Sequence, residues 1–234
     1  MSLRADLPDK YVDVNNLSIR YIEKGSGRPL VCIHGLDISL CAEQYLVNID
    51  ALSEVAHVYA LDMPGWGLSD YPVGGYSFPF WVETIKGFCD ALNLEEVDIM
   101  GQSLGGWFAA LFAYYHPERV RRVILVGNAG MNPAPQGMSG DEPLPDIDRL
   151  RNTLHDEWFE FHPITQEILE EQLRRMARPG VREQYRLIHQ YVFDPAVREE
   201  FSLRQRLPTM QQPLLVAWGD NPRGIRLLHA LETF

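Results

Sequence analysis

Val97-Asp98-Ile99-Met100-Gly101-Gln102-Ser103-Leu104-Gly105-Gly106 decides the reading of this chain. Val97–Met100 reads as a short strand, and the run from Leu104 to Tyr115 reads as a helix. Between them stands G-x-S-x-G. In a strand-to-helix setting that pattern marks a nucleophile elbow, a turn so tight that the central Ser takes a strained backbone conformation. Residues two positions either side of the Ser meet across the turn, and Gly101 and Gly105 bring no Cβ to collide there. The turn lifts the Ser103 hydroxyl clear of the sheet. It also places the Leu104 N–H at a helix N-terminus, where it can stabilise an oxyanion.

The surrounding chain reads as strands alternating with helices. Tyr11–Val14 and Leu17–Ile22 are two short strands joined by Asn15-Asn16, which suggests an antiparallel edge. Leu30–Ile33 follows as a continuous apolar strand, and His57–Leu61 and Val120–Val126 as further strands. Helices are expected over Ala42–Leu52 and Phe80–Leu92. Such alternation implies an α/β fold with a mostly parallel central sheet covered on both faces. After Asn128 the texture changes to a Pro-, Gly- and Met-rich stretch, then to helical segments that include Gln166–Ala177 and Arg182–Val192. The β pattern returns at Leu214–Trp218. The organisation predicted is a core over 1–131, a helical cap over 132–206 inserted after the sixth strand, and a continuation of the core over 207–234. An insertion so placed sits over the strand C-terminal ends, where open α/β sheets bind ligands.

His34-Gly35-Leu36 directly follows the strand Leu30–Ile33. A turn there can offer the second oxyanion N–H, that of Leu36, with His34 and Gly35 bracing it. Asp62, in Asp62-Met63-Pro64-Gly65-Trp66-Gly67, reads as a structural turn residue.

Composition excludes other classes. With 21 basic and 32 acidic residues the net charge is −11, and there is no Lys/Arg-rich stretch to meet nucleic-acid phosphates. No apolar run approaches the roughly 20 residues that span a bilayer. The N-terminus shows no apolar signal segment. Cys32, Cys41 and Cys89 have no metal-type spacing, so no metal and no organic cofactor is expected. The expected setting is cytoplasmic, with a small molecule as partner and a homodimer left open.

H-G-L, D-M-P-G-W-G-L-S and G-Q-S-L-G-G, in that order and spacing, resemble the α/β-hydrolase fold over nearly the whole chain. A serine at the elbow sets it apart from the haloalkane dehalogenase and epoxide hydrolase branches, which use aspartate there. The helical insertion and Val126-Gly127-Asn128-Ala129-Gly130-Met131 resemble the meta-cleavage-product hydrolases, which cleave a C–C bond in ring-fission dienoates. Where those enzymes carry H-G-G-x-G-P-G, this chain reads His34-Gly35-Leu36-Asp37-Ile38-Ser39. The resemblance implies a serine hydrolase. The primary reading is hydrolysis of a small ester through an acyl-enzyme. C–C hydrolysis next to a ketone, or a non-hydrolytic relative that binds a small ligand, are the alternatives.

The resemblance also implies an acid and a histidine that follow the serine. Asp220, after Trp218-Gly219, is the candidate acid, two residues earlier than the family spacing. The histidine is unassigned. His229 alone follows Asp220, in a helix-like run, and the last strand with its histidine loop is not found before Phe234. The expectation is a hydrolase incomplete at its C-terminus, a binding relative, or an enzyme whose base is displaced to His162 or His189.

Overall fold

The computed structural model describes residues 7–72, 74–131, 144–158 and 165–219, with backbone only for 155–158. Among the described residues seven strands form one sheet in the order β1-β2-β4-β3-β5-β6-β7. They are β1 (Lys10–Val14), β2 (Leu17–Gly25), β3 (Pro29–Ile33), β4 (His57–Leu61), β5 (Val97–Gln102), β6 (Val120–Val126) and β7 (Leu214–Ala217). Asn15 and Asn16 adopt φ 54° and 65°, the left-handed pair that a two-residue hairpin demands, and β1 and β2 pair antiparallel across them. β2 runs antiparallel to β4, and every pairing from β4 across to β7 is parallel. The chain is thus an α/β protein with a mostly parallel sheet, as the alternation implies.

Helices α1 (Ile49–Ser53), α2 (Phe78–Ala91) and α3 (Leu104–Tyr115) make the connections between these strands. Ser77 caps α2 by accepting from the Phe80 N–H, and Pro79 occupies its first turn. α3 buries ten consecutive residues, Leu104 to Ala113, so it is a central helix with no polar face. Its Trp107, Phe108 and Phe112 join Phe78, Trp81 and Phe88 of α2 in the larger core.

The helix expected over Ala42–Leu52 is instead a 3₁₀ turn at Ala42–Tyr45 followed by the short α1. Side-chain ties to the core explain the break. The Ala42 N–H donates to Asp62 Oδ1 at 2.7 Å, Glu43 pairs with Arg20, and the Tyr45 hydroxyl donates to the Ile33 carbonyl at 2.8 Å. Pinned at these points, the segment closes i to i+3 bonds, Leu46 N to Glu43 O and Asn48 N to Tyr45 O.

Among the described residues four more helices lie between β6 and β7: α4 (Ile147–Trp158), α5 (Gln166–Met176), α6 (Val181–Val192) and α7 (Pro195–Glu200). Thr165 caps α5 by accepting from Ile168 N–H. The stripe Ile168, Leu169, Leu173 and Met176 packs on Leu150 and Leu154 of α4 and on Ile38 of the loop after β3. α5 and α6 therefore rest on loops at the strand C-terminal ends. Arg178 donates to the Gly67 carbonyl at 2.7 Å, and Tyr191 Oη accepts from the Phe78 N–H at 3.1 Å.

Candidate active site

The direction of connection reverses between β3 and β5, since β3 leads outward to β4 and the chain then returns to β5 on the other side. Such a reversal opens a crevice at the strand C-terminal ends. The two loops that flank it are the ones singled out in the sequence. Ile33 is in register with Gly101, so His34-Gly35-Leu36 and Gln102-Ser103-Leu104 leave the sheet side by side.

Ser103 has φ 53° and ψ −117°, a conformation sparsely populated by L-residues. Its neighbours show why it stays there. A Cβ on Gly101 would lie 2.1 Å from the Gly105 carbonyl oxygen, and one on Gly105 would lie 2.2 Å from that of Ile33. Only glycine at both positions lets α3 start so close to β3 and β5. The elbow backbone is also bonded to the next strand and its loop. Ser103 N–H donates to Val126 O at 3.0 Å, and Ser103 O accepts from Ala129 N–H at 2.9 Å. The strain is held by contacts on three sides.

His34 is buried, and both ring nitrogens are engaged. Nε2 accepts from the Met63 N–H at 3.1 Å, so Nδ1 carries the proton and donates to the Gly35 carbonyl at 2.8 Å. Burial lowers its pKa, and the nearby Asp62 carboxylate only partly opposes that, so the ring is held neutral. Gly35 N–H donates to Gln44 Oε1 at 3.1 Å. A Cβ on Gly35 would lie 2.4 Å from Gln102 Oε1, so a side chain there would displace the Gln102 amide. The Leu36 and Leu104 N–H groups meet no acceptor among the described residues.

Asp62 is fully buried and spent on structure. Its Oδ1 accepts from Ala42 N–H and from Arg20 at 3.2 Å, and its Oδ2 accepts from Leu68 N–H at 2.8 Å. Arg20 is itself fully buried among Asp9, Glu43 and Asp62. Burial acts to lower the Arg20 pKa, but Asp62 and Glu43 outweigh it and hold the guanidinium charged. From α5, Arg175 reaches the same Glu43 at 2.9 Å. Cys41, Glu43 and Asp62 place ligand atoms within 4.8 Å of one another. The group does not suit a metal ion. Two guanidiniums already supply its positive charge, and burial pushes the Cys41 thiol up, keeping its proton on a bond to Glu43 at 2.8 Å.

The remaining histidines divide by place. His57 stands at the N-terminal end of β4, opposite the elbow, stacked on Tyr59. His116 follows α3 and bonds Glu83 at 2.9 Å. His189 lies in α6 between the rings of Tyr185 and Phe193. His155 lies on α4, where only the backbone is described, and Asp220, His162 and His229 lie outside the described residues.

A profile of the alpha/beta hydrolase fold matches residues 28–233. The chain belongs to this family. It is 33% identical to 2-hydroxymuconate semialdehyde hydrolase of Pseudomonas sp. strain CF600 over 70% of its own length. That match spans 59% of the relative, a little under two thirds. It is 31% identical to 2-hydroxy-6-oxo-2,4-heptadienoate hydrolase of Pseudomonas putida F1, over 89% of this chain and 77% of the relative. Among solved structures it is similar to the meta-cleavage product hydrolase of Pseudomonas fluorescens IP01, with TM-score 0.79 and 26% identity, covering 96% of this chain and 84% of that one. The similarity of this alpha/beta hydrolase runs to proteins named as meta-cleavage product hydrolases, of the kind the insertion suggested. In the described residues no helix is long and apolar enough to cross a membrane.

The sequence reading missed Gln44 and the cluster of Arg20, Glu43 and Arg175. A charged residue inside an apolar strand, such as Arg20 in Leu17–Ile22, is a signal of a buried ion pair, but the sequence does not name its partners.

Proposed function

We propose that this alpha/beta hydrolase cleaves a C–C bond adjacent to a ketone in a meta-cleavage-type dienoate, with Ser103 as nucleophile. The observation that carries the chemistry is the left-handed Ser103 at the end of β5, beside the 34–36 loop. The choice of a C–C bond over an ester is supported by the names of the relatives. It reverses the order of preference that the His34–Ser39 loop suggested.

In this reading Ser103 Oγ attacks the ketone carbon and gives up its proton to a base. The oxygen, now negative, is received by the N–H groups of Leu36 and Leu104, which no protein acceptor claims among the described residues. Collapse of the tetrahedral adduct breaks the C–C bond, and the departing carbon takes up a proton. Water then hydrolyses the acyl-serine to free acid and serine. His34 is the brace and not the base, because Nε2 is already an acceptor and Nδ1 already a donor. Asp220 is the candidate acid by its place after β7.

The test sets 2-hydroxymuconate semialdehyde and 2-hydroxy-6-oxo-2,4-heptadienoate against p-nitrophenyl acetate. The proposal expects loss of dienoate absorbance that disappears in Ser103→Ala. Ester turnover with both dienoates untouched returns the assignment to an esterase.

A further inference from the structure

Trp66 belongs neither to the elbow nor to the loop after β3. It ends a turn after β4 closed by a bond from Trp66 N–H to Met63 O at 2.9 Å. Its indole Nε1–H donates to the Leu36 carbonyl at 2.9 Å, across 30 positions of sequence. The ring is 3% exposed, set edge-on to His34 at 5.4 Å and tilted against Trp81 at 5.9 Å. The indole is thus held by its surroundings.

Two peptide planes meet at Leu36. The first carries the Gly35 carbonyl and the Leu36 N–H, and the second carries the Leu36 carbonyl. His34 Nδ1 fixes the first through Gly35 O, and Trp66 Nε1 fixes the second through Leu36 O. A trans peptide points its C=O and N–H in opposite directions. The His34 bond therefore turns the Leu36 N–H away from the protein donor, and the Trp66 bond stops Leu36 from rotating out of that pose. The Leu36 N–H gains nothing from this order within the fold, since it meets no acceptor among the described residues.

We infer that Trp66 is a positioning residue that aims the Leu36 N–H at the oxyanion. The inference rests on the proposed role of Ser103. A preorganised oxyanion donor is worth about 10²–10³ in rate, and a small misplacement forfeits part of that.

Two variants separate the bond from the packing. Trp66→Phe removes the N–H together with some ring volume. Replacement of Trp66 by 3-benzothienylalanine keeps the bicyclic shape and removes only the donor. Each full-length variant is assayed with whichever compound the wild type turns over in a Ser103-dependent way, and with phenylboronic acid, which forms a tetrahedral adduct on an activated serine. The expected result is a fall in kcat of about 10- to 100-fold with KM within about threefold. Phenylboronic acid should weaken in parallel, and the benzothienyl variant should melt near the wild type. Unchanged kcat and unchanged boronate affinity in the benzothienyl variant overturn the inference, as does a loss that appears only in KM. Turnover that is absent, or indifferent to Ser103→Ala, defeats the reading of the elbow first and this inference with it. Ser103-dependent turnover that ignores the indole N–H defeats this inference alone.

Discussion

Replacing Ser103 by glycine should stabilise the fold relative to replacing it by alanine. Ser103 sits at φ 53° and ψ −117°, and its side chain makes no capping bond to α3. Holding an L-residue in so sparse a region costs about 1–3 kcal/mol. Ser103→Ala removes the hydroxyl and keeps the Cβ, so it keeps the strain. Ser103→Gly removes both. Glycine also gains freedom in the unfolded chain, which opposes the benefit by about 0.5–1 kcal/mol relative to alanine. The difference leaves Ser103→Gly ahead of Ser103→Ala by about 0–2.5 kcal/mol, with a central value of about 1 kcal/mol. In a chain of 234 residues, 1 kcal/mol moves Tm by about 2–4 °C. Urea titrations of both variants at one pH supply the free energies, and thermal scans check the sign. An unstrained site gives the opposite order, with glycine the less stable by about 0.5–1 kcal/mol. That order would refute the claim that the fold stores strain at the nucleophile.

Two further outcomes follow from the packing around the site. Arg20→Met strands the carboxylates of Asp62, Glu43 and Asp9 around an apolar side chain, and should cost about 3–5 kcal/mol in urea titration; a loss below about 1 kcal/mol would show that Arg175 takes over the pairing. His34 should make stability fall on mild acidification. Its folded pKa is lowered below 6.5 by burial, so the unfolded chain binds the proton more readily. The contribution is complete above about pH 6.5 and is lost as pH drops toward the folded value. Stability measured between about pH 7 and 5 should slope less in His34→Gln than in the wild type, and equal slopes would contradict the assignment.

Much of this architecture was legible in the residues. β3 is buried on both faces of a parallel sheet, so Leu30–Ile33 reads as a continuous apolar run, whereas Asp98 interrupts β5 and Arg121-Arg122 interrupt β6. Asn15-Asn16 announces its hairpin by chemistry that tolerates positive φ. The elbow was legible for a steric reason. Two glycines flank a serine because no other residue fits against the Gly105 and Ile33 carbonyls. The expected helix over 42–52 is broken because Asp62, Arg20 and the Ile33 carbonyl, all distant in sequence, hold Ala42–Tyr45 as a 3₁₀ turn and leave only Ile49–Ser53 as α-helix. The same holds for the bracing of Leu36. Trp66 stood in a quoted motif, but its donor finds an acceptor 30 residues away, and nothing local signals that bond. The acid and the base have no local signal either. Asp220 is marked only by family spacing, and it lies outside the described residues.

The central claim is that Ser103 is a strained, activated nucleophile. Fluorophosphonate labelling followed by peptide mass spectrometry tests it most directly. One adduct is expected, on the peptide that carries Ser103, lost in Ser103→Ala. A wild-type chain that stays unlabelled, or a label that persists in Ser103→Ala, would contradict it.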